Sequence, residues 1–270
     1  MSSRPGVLVF SFSLFLLLLR VAMARLTYAR YCVRIGVYFA AMALWGIAGA
    51  PVAFVLAATG RRFAVGRIIT RSFYYVVGAA LGLHVELEGA EHLTTQPAVL
   101  MLNHQSALDV WLLGSFLPHR SSTMVKKSLE WTPIGPTLYF SGALFVRRGT
   151  GARAVASVRS TGATLRDSGV SLMVFPEGTR SGARTPSLLP FKKGGFHMAV
   201  QSGLPIVPIV CENYSHMFRP GCFEPATLKV RVLPPISTTG LGAEDVTALT
   251  AQVQEQMLQA VLDISRRTAA

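Results

Sequence analysis

Residues Ile35 to Ala58 form a run of 24 residues without a charge, closed by Arg34 on one side and Arg61-Arg62 on the other. As a helix, a run of that length crosses the hydrocarbon core of a bilayer. It predicts a transmembrane helix over 35–58, with Gly49-Ala50-Pro51 as a kink site. Charge placement agrees. Residues 1–85 carry nine arginines, no lysine and no acidic residue, a net +9; residues 86–270 carry the other 17 basic and all 13 acidic residues, a net +4. A basic, apolar N-terminal third suits an anionic membrane surface. Nucleic acid is excluded as a partner, because the arginines are interleaved with long aliphatic runs instead of gathering on a polar face. The whole chain is 14% charged, against about 25% in a soluble domain.

Two other N-terminal stretches share this character. Val7 to Leu19 is apolar apart from two serines and ends at Arg20. It is short for a span and is followed by no cleavage site, so it reads as a retained, membrane-inserted segment over 7–19, such as one arm of a hairpin. Arg20, Arg25, Arg30 and Arg34 then form a loosely spiralling basic stripe suited to lipid headgroups. Phe63 to Leu83 sets Arg67 and Arg71 one helical turn apart among Ile68, Ile69, Phe73, Tyr74 and Tyr75. That predicts an interfacial amphipathic helix over 63–83, the alternative being a core helix of the following domain with two solvated arginines. Cys32, Cys211 and Cys222 are too few and too dispersed for a disulfide framework, and the six histidines lack metal-ligand spacing.

After residue 83 the pattern changes. Short apolar or alternating strands (84–89, 98–102, 123–125, 143–146, 171–175, 206–211, 227–233) alternate with helical stretches (106–117, 152–167, 194–202, 243–267). Such alternation predicts an α/β domain with a central sheet. The chain therefore divides into a membrane region, 1–83, and a catalytic-sized domain, 84–270.

Within that domain, the buried strand Ala98–Leu102 runs straight into Asn103-His104-Gln105-Ser106-Ala107-Leu108-Asp109. Ligands and chemistry collect at this edge of an α/β sheet. Residues five apart within one helix point about 140° away from each other, so His104 and Asp109 meet only if His104 lies in the turn before the helix. Asp109 can then hold one imidazole nitrogen while the other accepts a proton. That is a Ser-His-Asp arrangement without its nucleophile, which points to a substrate that brings its own hydroxyl. The competing reading is a capping box, with Ser106 as N-cap and Asp109 at the third helical position.

Basic groups collect at other strand ends. Arg147-Arg148 follow Leu144-Phe145-Val146, Lys126-Lys127 follow another strand, and Lys192-Lys193 precede a helix. Phe175-Pro176-Glu177-Gly178-Thr179-Arg180-Ser181 ends a strand in an ion-pair-bearing turn, where Gly178 permits a tight backbone. Guanidinium pairs and helix N-termini both favour phosphate.

Taken in order, four stretches resemble the conserved blocks of the membrane glycerolipid acyltransferases, and most closely the lysophosphatidic acid acyltransferase branch. They are Asn103–Asp109, Gly142-Ala143-Leu144-Phe145-Val146-Arg147-Arg148, Phe175–Ser181 and Leu204-Pro205-Ile206-Val207-Pro208-Ile209-Val210. Leu189-Pro190-Phe191-Lys192-Lys193-Gly194 and Glu212-Asn213-Tyr214-Ser215-His216 look like fungal and microbial members. The resemblance spans about residues 84–235 and implies a central mixed sheet flanked by helices. It implies transfer of a fatty acyl group from acyl-coenzyme A to the sn-2 hydroxyl of lysophosphatidic acid, with no covalent acyl-enzyme, no metal and no cofactor beyond the acyl-CoA co-substrate. Carried onto this chain, His104 is the general base and Asp109 its orienting partner. Arg148, Glu177, Gly178, Thr179 and Arg180 form the phosphate site. Lys126, Lys127, Lys192 and Lys193 are candidate contacts for coenzyme A or phosphate, and Val207 and Pro208 shape an acyl or acceptor pocket. The residue before the second block's last arginine is often acidic in relatives and is Arg147 here; register favours Arg148. The implied home is the endoplasmic reticulum membrane of a fungal-like eukaryote, or the inner membrane of a bacterium. Two alternatives stand beside this: another acceptor, such as glycerol-3-phosphate or a lysophospholipid, and a non-catalytic lipid-binding protein on the same fold.

Overall fold

The computed structural model describes residues 5–146 and 166–269. Two helices, α1 (Pro5–Ala58) and α2 (Val65–Leu81), precede the first strand, β1 (Leu83–Glu88). The order then runs β2 (Val99–Leu102), α3 (Asp109–Phe116), β3 (Ser121–Lys126), α4 (Gly135–Phe140), β4 (Leu144–Val146), β5 (Ser171–Val174), α5 (Gly194–Ser202) and β6 (Ile206–Cys211). A short hairpin, β7 (Phe218–Arg219) and β8 (Cys222–Phe223), leads to β9 (Ala226–Val232) and the closing helix α6 (Val246–Ala269). The helix expected over 152–167 lies, all but its last two residues, outside the described residues, as do Arg147 and Arg148.

Seven strands form one sheet in the order β1-β9-β6-β2-β5-β3-β4. Neighbours are parallel except β6 and β9, so the sheet is mixed. β2 lies at its centre with all four residues buried, which is why it reads as a continuous apolar run instead of an alternating one. Its side chains still alternate in direction. Leu100 and Leu102 enter a core with Phe73 and Val77 of α2 and Trp111 and Leu112 of α3. Val99 and Met101 enter a second core with Phe196 of α5 and Val253 and Met257 of α6. Both faces are thus covered by helices, and the C-terminal edge of the sheet is left to carry the site.

The N-terminal region departs from expectation in two ways. Segments 7–19 and 35–58 lie on one continuous helix, not on two arms of a hairpin, and the helix also continues through Pro51. The arginines between them interrupt hydropathy but are good helix formers. Leu18–Ala58, 41 residues, is by length and composition long and apolar enough to cross a membrane. Stretch 63–83 packs one face inward, with Phe73, Val77, Gly78 and Leu81 buried. Its arginines are half-buried and tied to backbone carbonyls. Arg67 donates to Leu117 O (2.8 Å), and Arg71 to Gly114 O (2.9 Å) and Ser115 O (3.0 Å), filling carbonyls that the end of α3 leaves open. An interfacial reading now applies only to the opposite face, where Ile68, Tyr75 and Val76 are exposed.

α2 and α3 cross closely because position 114 has no side chain: a Cβ there would lie 2.2 Å from Thr70 O. α1 also joins the domain. Tyr38 is fully buried in the same core as Leu100, and Thr137 of α4 donates to Gly46 O at 2.6 Å. Residue 83 therefore does not divide the packed core.

Candidate active site

Beyond β2, the side chain of Asn103 extends the sheet. It donates to Cys211 O (3.0 Å) and accepts from Cys211 N–H (2.8 Å), as a further residue of β2 paired with β6 would. This fixes the turn that follows. His104 then stands at the sheet edge with its ring stacked on Phe175, centroids 4.1 Å apart. Its backbone N–H donates to Glu177 Oε1 (2.7 Å), and its carbonyl accepts from Ser181 N–H (2.8 Å).

His104 and Asp109 meet: Nδ1 and Oδ2 are 2.7 Å apart. The turn before α3 brings them together, as the five-residue spacing requires. Asp109 is fully buried and its oxygens are heavily used. Oδ2 also accepts from Gln105 N–H (2.7 Å) and Ser106 N–H (3.0 Å), while Oδ1 accepts from the Tyr214 hydroxyl (2.5 Å). Surrounded by donors, the carboxylate acts as an acceptor only, so Nδ1–H of His104 donates to it. Nε2 is left with its lone pair. The capping reading also holds in part. Asp109 reaches back to Ser106 N–H, but Ser106 Oγ accepts from Leu108 N–H (3.0 Å), one position short of the usual box. One carboxylate serves both helix and histidine.

Neighbouring groups that could act as nucleophiles are committed elsewhere. Ser106 Oγ is engaged by Leu108 N–H and by Tyr214 (2.8 Å). Burial pushes the Cys211 thiol well above its ordinary pKa. What remains is an imidazole whose Nε2 has the chemistry to accept a proton.

The expected phosphate residues separate into distinct roles. Gly178, Thr179 and Arg180 lie on an exposed turn beside His104, with Gly178 in the left-handed region (φ +69°). No hydrogen bond or ion pair engages the Arg180 guanidinium among the described residues, so it is available to an anion. Glu177 does not belong with them. It is 2% exposed, and its oxygens accept from His104 N–H and Leu189 N–H (2.9 Å). A buried carboxylate saturated by backbone donors braces two loops; it cannot meet a phosphate. Burial lifts its pKa above the ordinary 4.5, and the two N–H donors oppose that rise.

The lysines divide similarly. The Lys192 side chain passes over Gly178, and its N–H donates to Pro176 O at 2.7 Å. Lys193 instead turns to Thr247 Oγ1 of α6 (2.8 Å). Lys126 is exposed at the C-terminal end of β3, two strands or about 10 Å from β2. Lys127 pairs with Glu130 at 2.5 Å. Val207 and Pro208 are both buried in β6, between β2 and β9. Arg148 lies outside the described residues.

Sequence spacing did not single out Tyr214, Asn103 or Tyr38 as site residues. Tyr38 of α1 donates to Ala107 O at 2.8 Å, so the apolar helix touches the loop between His104 and Asp109. Between them lies a cleft of about 290 Å³, with Ile35 and Phe39 on one wall and Ser106, Tyr214 and Arg184 on the other.

A histidine–carboxylate pair at a sheet edge, in a domain that carries a long apolar helix, is compatible with acyl transfer at a membrane, and comparisons with known proteins define the class as an acyltransferase. The acyltransferase family model matches residues 84–212. A 1-acyl-sn-glycerol-3-phosphate acyltransferase of Saccharomyces cerevisiae is 35% identical over 227 residues, covering 83% of this chain and 75% of that protein. The human 1-acyl-sn-glycerol-3-phosphate acyltransferase alpha is 35% identical over 242 residues, covering 87% and 85%. The crystal structure of the 1-acyl-sn-glycerophosphate (LPA) acyltransferase PlsC from Thermotoga maritima shares the fold, with a TM-score of 0.68 over 87% of this chain and 97% of that one at 20% identity. The chain belongs to the 1-acyl-sn-glycerol-3-phosphate acyltransferase family.

Proposed function

We propose that this enzyme transfers a fatty acyl group from acyl-coenzyme A to the sn-2 hydroxyl of lysophosphatidic acid, with His104 as general base. The observation that carries the reading is the His104–Asp109 pair, which leaves Nε2 free beside an uncommitted arginine, Arg180. The acceptor hydroxyl attacks the thioester carbonyl as Nε2 takes its proton. The tetrahedral intermediate collapses, the carbon–sulfur bond breaks, and the imidazolium returns the proton to the leaving thiolate. Asp109 favours the imidazolium in between. Arg180 holds the acceptor phosphate with Thr179 and the turn at Gly178, and Lys192 and Lys126 are the lysines still free to meet phosphate or coenzyme A. Arg148 is assigned to phosphate on family register alone. The relatives' names support the acceptor, and the cleft beside α1 supports an amphiphilic one. The compartment we assign is the endoplasmic reticulum of a eukaryotic cell, or the inner membrane of a bacterium.

The test is an acceptor panel with labelled acyl-CoA, coenzyme A release being followed by a thiol-reactive dye. Lysophosphatidic acid should be acylated in preference to glycerol-3-phosphate and to lysophospholipids with larger head groups. His104→Ala should lose most of the roughly 10²–10⁴ that a positioned base supplies, while still inserting into membranes. Full turnover in that variant rules the mechanism out; preference for another acceptor rules out the substrate.

A further inference from the structure

Asp109 receives a donor that the spacing of the catalytic loop does not supply. Tyr214 lies 105 residues further along the chain, beyond β6, and its hydroxyl sits 2.5 Å from Asp109 Oδ1 and 2.8 Å from Ser106 Oγ. It is 2% exposed, and its ring meets Phe218 edge-on at 6.4 Å between centroids.

The proton directions in this cluster follow from the partners. Asp109 accepts only, so the single Tyr214 proton goes to Oδ1. Tyr214 Oη must then accept from Ser106, whose hydroxyl proton has that one place to go. Ser106 Oγ in turn accepts from Leu108 N–H at 3.0 Å. A directed chain results, running Leu108 N–H to Ser106, Ser106 to Tyr214, Tyr214 to Asp109. On the other side of the carboxylate, His104 Nδ1–H points inward to Oδ2. Each link polarises the next in the same sense.

We propose that Tyr214 is a positioning residue for the dyad: by donating to Asp109 Oδ1 it fixes the carboxylate's rotation and moderates its pull on the imidazole proton. The role rests on His104 being the base. Tyr214 touches no reacting atom; it acts through Asp109. Burial, with Asp109 beside it, pushes the phenol well above its ordinary pKa, so it remains a neutral donor through the working range. Other ionisable groups facing the cluster are accounted for. Glu177 accepts from His104 N–H and Leu189 N–H, Tyr38 donates to Ala107 O, Cys211 is a buried thiol in β6, and Glu212 Oε1 accepts from Lys229 N–H at 2.9 Å. Arg180 is the cation on the neighbouring turn.

The two effects make separate predictions for Tyr214→Phe, which keeps the ring and its packing. Without the donor, Asp109 is less well oriented, and kcat should fall about 10- to 100-fold, a part of what a positioned base contributes. The carboxylate, with one hydrogen bond fewer, holds more negative charge toward His104 and stabilises the imidazolium more. The acidic limb of the kcat/KM profile should therefore move to higher pH, by about half a unit. KM for acyl-CoA should not move. Ser106→Ala, which leaves Tyr214 in place but removes its donor, should shift the limb in the same direction by less. The experiment measures kcat, KM and pH profiles of the full chain in detergent, with melting temperature as a check on folding. If Tyr214→Phe is too unstable to assay, the Ser106→Ala shift decides. A folded Tyr214→Phe enzyme with wild-type kcat and an unmoved limb overturns the proposal, as does a loss confined to KM, or an unmoved limb in Ser106→Ala where that variant decides. A fully active His104→Ala enzyme would instead overturn the underlying mechanism.

Discussion

Glutamate 177 offers a sharp division between a ligand and a brace. Its two oxygens accept from His104 N–H at 2.7 Å and Leu189 N–H at 2.9 Å. In Glu177→Gln, whichever way the amide is turned, its NH₂ faces one of these N–H groups. No flip rescues the site. One hydrogen bond is lost and one buried donor is orphaned, which costs about 1–3 kcal/mol. For a chain of this size that is a fall in Tm of roughly 2–12 °C. A pH signature accompanies it. Burial raises the Glu177 pKa above 4.5 in the folded protein, so the folded state holds this proton more tightly than the unfolded chain. The resulting stabilisation is complete below the unfolded value and is lost as pH rises through the folded one. The glutamine variant lacks that component, so its stability should decline less steeply than wild type as pH rises above about 4.5. Thermal melts across pH, with kcat and KM measured well below Tm, check both points. KM for lysophosphatidic acid should stay within about twofold, because the side chain does not reach the ligand face. An unchanged Tm with a KM raised tenfold or more would refute the brace and restore the carboxylate to the phosphate site.

Other outcomes follow from single contacts. Gly114→Ala sets a methyl 2.2 Å from Thr70 O; because the obstacle is backbone, α2 and α3 must separate, and the melt should show a loss of about 1–3 kcal/mol or more. Wild-type stability in that variant would contradict the crossing described above. Arg180→Ala should raise KM for lysophosphatidic acid at least tenfold with kcat little changed, the pattern of lost binding, and an unaltered KM removes it from the phosphate site. Lys193→Ala should leave both substrate KM values unmoved, since its ammonium is turned toward Thr247; an increase would return it to the ligand.

Strands such as β2 and β6 were legible because burial on both faces writes an uninterrupted apolar run, closed by Asn103 in one case and opened by Pro205 in the other. The His104–Asp109 contact was legible for a local reason: strand, turn and helix start leave few ways to place residues five apart. What a sequence withholds is burial of polar groups. Glu177 carries the same charge whether it meets a ligand or two backbone amides, and Val207 and Pro208 look alike in a pocket wall and in a central strand. Tyr214 illustrates the other limit. Its stretch carried the family resemblance, but its partner lies 105 residues away, and only the sheet order brings β6 beside β2. No helix was expected over α4, whose first turn holds Pro136, a position that suits proline.

The first helix changes character along its length. From Leu18 to Arg30 every residue is exposed, whereas from Tyr31 onward one face rests on the domain. Arg34 donates to Leu81 O and stands 5.2 Å over the Phe223 ring, and Tyr38 closes on Ala107. Removing the helix up to Arg30 therefore leaves these contacts whole, although the exposed Val33, Leu44, Ile47, Phe54 and Val55 keep the remaining stretch apolar toward its surroundings. Trimming to Ala58 would strip the lid from Phe73 and Phe223 and take the Tyr38 hydroxyl from the carbonyl of Ala107. Anchor and enzyme thus share one helix, and from Tyr31 onward it cannot be removed without opening the core of the domain.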